Sequence, residues 1–169
     1  MSDAGGVVLR TLVEEFSDLD DLEQVTRLVA RLVLAALLGG LLGLQRERHG
    51  KAAGVRTHML VAASSALFVL VPLQMDMDDQ AVSRVLQGLL AGIGFLCAGA
   101  ILKLEREEQV HGLTTAAGVW MTAAIGVAAG LGREMTAVVS TLLVLGILAL
   151  EGPMRRIGLR RGSASDADD

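Results

Sequence analysis

The residues able to do chemistry are few and scattered. Asp76, Asp78 and Asp79 place three carboxylates within four residues. Hard cations such as Mg²⁺ take oxygen ligands and usually keep several waters, so these acids are the one metal candidate in the chain. Their spacing fits no calcium loop, and flexible exposed acids bind Mg²⁺ weakly. A solvated loop without a bound metal is therefore expected, and no cofactor. The three histidines, His49, His58 and His111, are too dispersed for a metal-ligand pair. Thr57 and His58 are adjacent and point differently on a helix, so they form no nucleophile–base pair. No glycine loop followed by Lys offers a phosphate cradle. The single cysteine, Cys97, excludes an intrachain disulfide and a cysteine-cluster zinc site. It sits in an apolar run and reads as a small buried residue. The chain reads as a non-enzyme.

The elements that carry these residues are apolar helices. Apolar residues make up 52% of 169 residues, and the mean hydropathy is +0.53. Charges are unevenly spread: Glu14, Glu15, Asp18, Asp20, Asp21 and Glu23 crowd together, whereas 57–75 carry only Thr57, His58, Ser64, Ser65 and Gln74 as polar side chains. Gly is abundant at 20 and Pro scarce at 2, a pairing that suits closely packed helices. A net charge of −4 and only 2% aromatics argue against nucleic acid as a partner. Five apolar segments stand at about 28–44, 55–73, 85–102, 112–131 and 135–150. A membrane span needs about 20 apolar residues, and about 17 is the short end. Soluble helices keep a polar face, yet 85–102 offers only Gln87. No segment alternates as the strands of an outer-membrane barrel do. The expected fold is all-α, a polytopic membrane helical bundle of about five transmembrane helices in the lipid bilayer.

Residues 1–26 form an acidic segment in which Leu9, Leu12, Phe16 and Leu19 recur at helical spacing. An extracytoplasmic segment is expected there, either an amphipathic helix or a loosely ordered tail, rather than a cleaved signal, which needs a basic start. The transmembrane domain covers 27–152, and a basic, then disordered, tail covers 153–169. Arg46, Arg48, Lys51, Arg56, Lys103, Arg106, Arg155, Arg156, Arg160 and Arg161 would share one side, ten of the 15 basic residues. Cytoplasmic loops carry the excess of Lys and Arg. Five spans then place the N-terminus outside and the C-terminus in the cytoplasm. Arg31 lies about one turn into the first span and is expected to snorkel outward or to meet Asp76, Asp78 or Asp79.

Small residues mark the expected helix contacts: Gly39, Gly40 and Gly43 in the first span, and Gly88, Gly92, Gly94 and Gly99 in the third. Gly118, Thr122, Gly126 and Gly130 in the fourth recur every four residues and share one face. Such grooves let backbones approach closely in lipid. Packing within the chain is the expected use, and a homodimer seam the sharper alternative.

Several stretches resemble the MgtC/SapB family. They are Gly43-Leu44-Gln45-Arg46-Glu47-Arg48 with Gly54-Val55-Arg56-Thr57-His58; Arg84-Val85-Leu86-Gln87-Gly88; Gly92 to Lys103; and Val110-His111-Gly112-Leu113-Thr114-Thr115, continuing to Trp120. Gln45 stands where the family often has Glu, and Cys97 where it often has Gly. Some members carry a soluble C-terminal domain of the ACT-like type. The residues after Glu151 are too few for one, so that domain is expected to be absent.

The resemblance implies a multi-pass protein of the cell inner membrane and singles out polar residues on its cytoplasmic side: Arg46, Glu47, Arg56, Thr57, His58, Thr114 and Thr115. We expect Glu47 to pair with Arg56, with His58 and the two Thr hydroxyls nearby. The resemblance further implies a regulatory or accessory protein in magnesium homeostasis and stress adaptation, acting through other membrane proteins or as a homo-oligomer. The alternative is an ion (Mg²⁺) transporter or channel working as an oligomer.

Overall fold

Asp21 opens the first long helix: its side chain accepts a hydrogen bond from the Glu23 amide at 3.0 Å. That satisfies one of the amides left unpaired at a helix start. The computed structural model describes residues 4–15, 21–102 and 112–150, and among these residues are six helices and no strand. They are α1 (Ala4–Glu15), α2 (Leu22–Arg48), α3 (Val55–Gln74), α4 (Asp79–Leu102), α5 (Leu113–Gly130) and α6 (Glu134–Ala149).

The chain is an all-helical, multi-pass membrane protein. Helices α2 to α5 are each long and apolar enough to cross a bilayer. Helix α6 is apolar but has 16 residues, about 24 Å against a hydrocarbon core of about 30 Å. It needs flanking residues or local thinning to reach across. Two helices start earlier than hydropathy predicts. α2 begins at Leu22, inside the acidic segment, and α4 begins at Asp79, where Asp78 Oδ1 accepts from the Ala81 amide at 2.7 Å. Polar capping turns lie outside an apolar window, so hydropathy cannot see them. α1 forms a 12-residue helix with no buried residue; Phe16 and Leu19 lie outside the described residues.

Helices α2, α3 and α5 form the centre, with α6 against α5 and α2, and α4 against α5 and α3. The core is built of small residues: Ala35, Ala62, Ala66 and Ala129 are fully buried beside Leu42 and Ile125. A second cluster joins α4 to α5 through Ile93, Cys97, Val119 and Ala123. Cys97 is buried there, and its thiol donates to the Ala116 carbonyl at 3.2 Å. The outside is greasy, with Phe95, Leu60 and Leu142 exposed. A water-soluble bundle inverts that pattern.

Candidate functional site

The polar residues of interest gather where α2 ends and α3 and α5 begin. Arg46, in the last turn of α2, is fully buried, and its Nη2 donates to Thr115 Oγ1 in the first turn of α5 at 3.3 Å. A guanidinium costs several kcal/mol to bury (roughly) unless it is paired and hydrogen-bonded. Its place inside the bundle therefore reports a built contact.

His58 enters from α3 and is also fully buried. Its Nδ1 lies 3.0 Å from the Gly54 carbonyl. A carbonyl carries no proton, so Nδ1 is the donor and the ring is held by its own helix start. Nε2 has no hydrogen-bond partner among the described residues and faces Gly118, where a Cβ would stand 3.7 Å away. Ser65, two turns further along the same face of α3, is buried with its hydroxyl likewise unpartnered.

Glu47 sits at the rim. Its Oε2 accepts from the Val55 amide at 2.9 Å. Gly54, the residue before α3, has no side chain with which to cap it, and Glu47 serves instead from the previous helix. The expected Glu47–Arg56 ion pair is absent among the described residues. The carboxylate is used on an unpaired helix amide, and Arg56 and Thr57 face outward, as does Thr114. The seven polar residues expected to cluster thus divide. Arg46, His58 and Thr115 are interior, Glu47 caps, and Arg56, Thr57 and Thr114 are exposed. Gln45 is partly buried, and neither of its amide atoms has a hydrogen-bond partner among the described residues. Lys103 and His111 lie outside the described residues.

Glycines bring these helices together. A Cβ at Gly43 would lie 2.6 Å from Val55 Cα, and one at Gly39 2.5 Å from the His58 carbonyl oxygen. On α5, Gly126 abuts the Ala62 backbone, and a Cβ at Gly130 would lie 2.6 Å from the Ala66 carbonyl oxygen. Real side chains do not fit at such separations, so α2, α3 and α5 meet backbone to backbone. α4 behaves differently. A Cβ at Gly88, Gly92 or Gly99 would meet nothing within 4 Å, and Gly94 touches only Trp120, at 4.0 Å.

At the other end, Arg31 does not meet the aspartates. Its Nη1 donates to the Gly130 carbonyl at 3.2 Å, and its Nε lies 3.7 Å from Glu134. The guanidinium ties α2 to the α5–α6 turn, whose Gly132 leaves it room. Asp76, Asp78 and Asp79 are exposed, and no group of three His, Cys, Asp or Glu among the described residues is placed to hold a metal ion.

Comparison with known proteins gives the family. SrpB of Synechococcus elongatus is 44% identical over 144 residues, 79% of this chain and 79% of SrpB. The candidate magnesium transporter YhiD of Escherichia coli is 42% identical over 127 residues, 69% of this chain and 58% of YhiD. MgtC of Brucella abortus is 39% identical over 138 residues, 79% of this chain and 57% of MgtC. The match thus spans less than two thirds of YhiD and of MgtC. No solved structure matches. The MgtC family model matches residues 32–157, which take in the glycine contacts and the Arg46–His58–Thr115 interior, and the chain belongs to the MgtC family.

Proposed function

We propose that this chain is a non-enzymatic regulatory or accessory protein of the inner membrane that serves adaptation to low magnesium or to stress. It acts by binding other membrane proteins or further copies of itself. The observation that carries this reading is the open glycine face of α4. A Cβ at Gly88, Gly92 or Gly99 would meet no atom of the described residues within 4 Å, and Gly88 and Gly92 line a groove of about 450 Å³ together with Ser64 and Phe68 of α3. Each glycine inside a helix costs about 1 kcal/mol relative to Ala, and in lipid it is useful where another backbone approaches. The glycines of α2 and α5 pack against α3 within the chain, whereas those of α4 await a partner.

The interior also disfavours carriage of a divalent cation. Among the described residues, the ionisable side chains buried in the bundle are Arg46, His58 and Cys97, and none is an oxygen ligand for Mg²⁺. At roughly 10 Å and an effective dielectric near 20, a guanidinium and a divalent ion repel by about 3 kcal/mol. Transport remains the second reading, favoured by the name of YhiD. Proteoliposomes loaded with a magnesium-sensitive dye separate the two. The expected result is no Mg²⁺ influx above empty liposomes, together with a membrane protein that co-purifies from native membranes and is lost in Gly88→Leu/Gly92→Leu. Saturable influx that disappears in Arg46→Gln overturns the regulatory reading.

A further inference from the structure

At the end of the bundle away from Arg46, α2 and the end of α3 enclose a cleft of about 250 Å³. One wall is polar by helical spacing: Gln24, Arg27 and Arg31 recur at three and four residues and share a face of α2. The other wall is the turn after α3, closed by hydrogen bonds from the Met77 amide to Pro72 at 3.1 Å and from the Asp76 amide to Leu73 at 3.3 Å. That turn sets Asp76 on the cleft beside Gln74. Leu28, Leu70 and Leu73 form an apolar floor.

The charges on the two walls are opposite and separately held. Arg31 is oriented by Gly130 and Glu134. A guanidinium has five N–H donors, so the contact to Gly130 leaves others. Arg27 pairs with Glu23 along α2. Asp76 has no ion-pair partner among the described residues. An anion alone would meet the Asp76 carboxylate, and a cation alone would meet two guanidinium groups. A ligand with a phosphate at one end and an ammonium at the other answers both walls. The cleft is smaller than the roughly 300 Å³ at which sites for drug-sized ligands begin. Its floor runs onto exposed Leu73, on a helix long and apolar enough to span a bilayer.

We propose that this cleft binds the headgroup of a zwitterionic phospholipid of the phosphoethanolamine class. The phosphate lies against Arg27 and Arg31, the ammonium against Asp76, and the first part of an acyl chain along Leu28 and Leu73. Gln24 and Gln74 are placed for the ester oxygens. The inference rests on the membrane-spanning arrangement alone and is independent of whether the protein regulates or transports.

The test uses the full chain in nanodiscs of equal phosphatidylethanolamine and phosphatidylglycerol. Lipid retained after gentle delipidation is counted by native mass spectrometry. The expected result is about tenfold preferential retention of phosphatidylethanolamine, equivalent to about 1.4 kcal/mol. Asp76→Asn abolishes the preference, and Arg27→Gln lowers retention of both lipids. Asn tolerates the positive φ of 50° at this position, and circular dichroism of each variant verifies the fold. Equal retention of the two lipids, or an unchanged preference in Asp76→Asn, overturns the proposal. Displacement of the lipid by millimolar soluble phosphoethanolamine overturns the assignment to lipid.

Discussion

Glu47 Oε2 accepts a hydrogen bond from the backbone amide of Val55 at 2.9 Å, so the end of α2 caps the start of α3 across the intervening turn. The contact holds the two helices in the antiparallel approach that Gly43 permits, where a Cβ would stand 2.6 Å from Val55 Cα. It also places His58 in the first turn of α3 against the interior.

Loss of the cap is expected to cost about 1 kcal/mol, the usual worth of a side chain capping a helix start. Glu47→Ala lowers the unfolding free energy in detergent by that amount, whereas Glu47→Gln, which keeps an acceptor oxygen, loses less. The exchange Glu47→Arg/Arg56→Glu does not restore stability, because the partner of Glu47 is an amide. Rescue by that double exchange, followed by thermal unfolding, would show a pair after all.

Thr115→Val keeps the shape of the side chain but removes the acceptor for buried Arg46. A hydrogen bond to a charged group is worth about 1.5–3 kcal/mol, and a loss in that range is expected. Arg46→Ala removes a large, fully buried side chain, and a loss of about 2–5 kcal/mol is expected, the range for truncating large buried side chains to Ala. A double-mutant cycle on the pair reads the coupling directly. Additive losses would mean that the 3.3 Å contact carries no energy.

The glycines are expected to fall into two classes. Gly126→Ala and Gly130→Ala push a methyl into the backbone of α3 and destabilise by about 1–3 kcal/mol, the range for overpacking. Gly88→Ala and Gly92→Ala point into open space and raise stability slightly by improving helix propensity. The same α4 variants weaken association with the partner. Unfolding in detergent and co-purification from membranes measure the two effects separately.

Gly112 precedes α5 with φ of 92°, and a Cβ there would lie 2.5 Å from the Ala100 carbonyl oxygen of α4. Both the left-handed backbone and the contact exclude a side chain. Gly112→Ala is expected to loosen α4 from α5, seen as faster hydrogen exchange over α4 than over α3. Unchanged protection of α4 would count against this hinge.

Much of the chain was legible before any coordinates. Helix number, the apolar spans and the family resemblance follow from hydropathy runs and short motifs, because a lipid-exposed segment must satisfy its backbone internally and therefore coils. Composition likewise separates this chain from soluble bundles, since no polar face runs along 85–102. Two things were decided by tertiary structure. The family resemblance singled out Arg46, Glu47, Arg56, His58 and Thr115 together, yet rotation about the helix axes sends Arg46 and His58 inward and Arg56 outward. The glycines of α4 and α5 also look alike in sequence. Only the packing of α5 against α3 closes one set and leaves the other open, because a small residue permits a close approach without naming the helix that makes it.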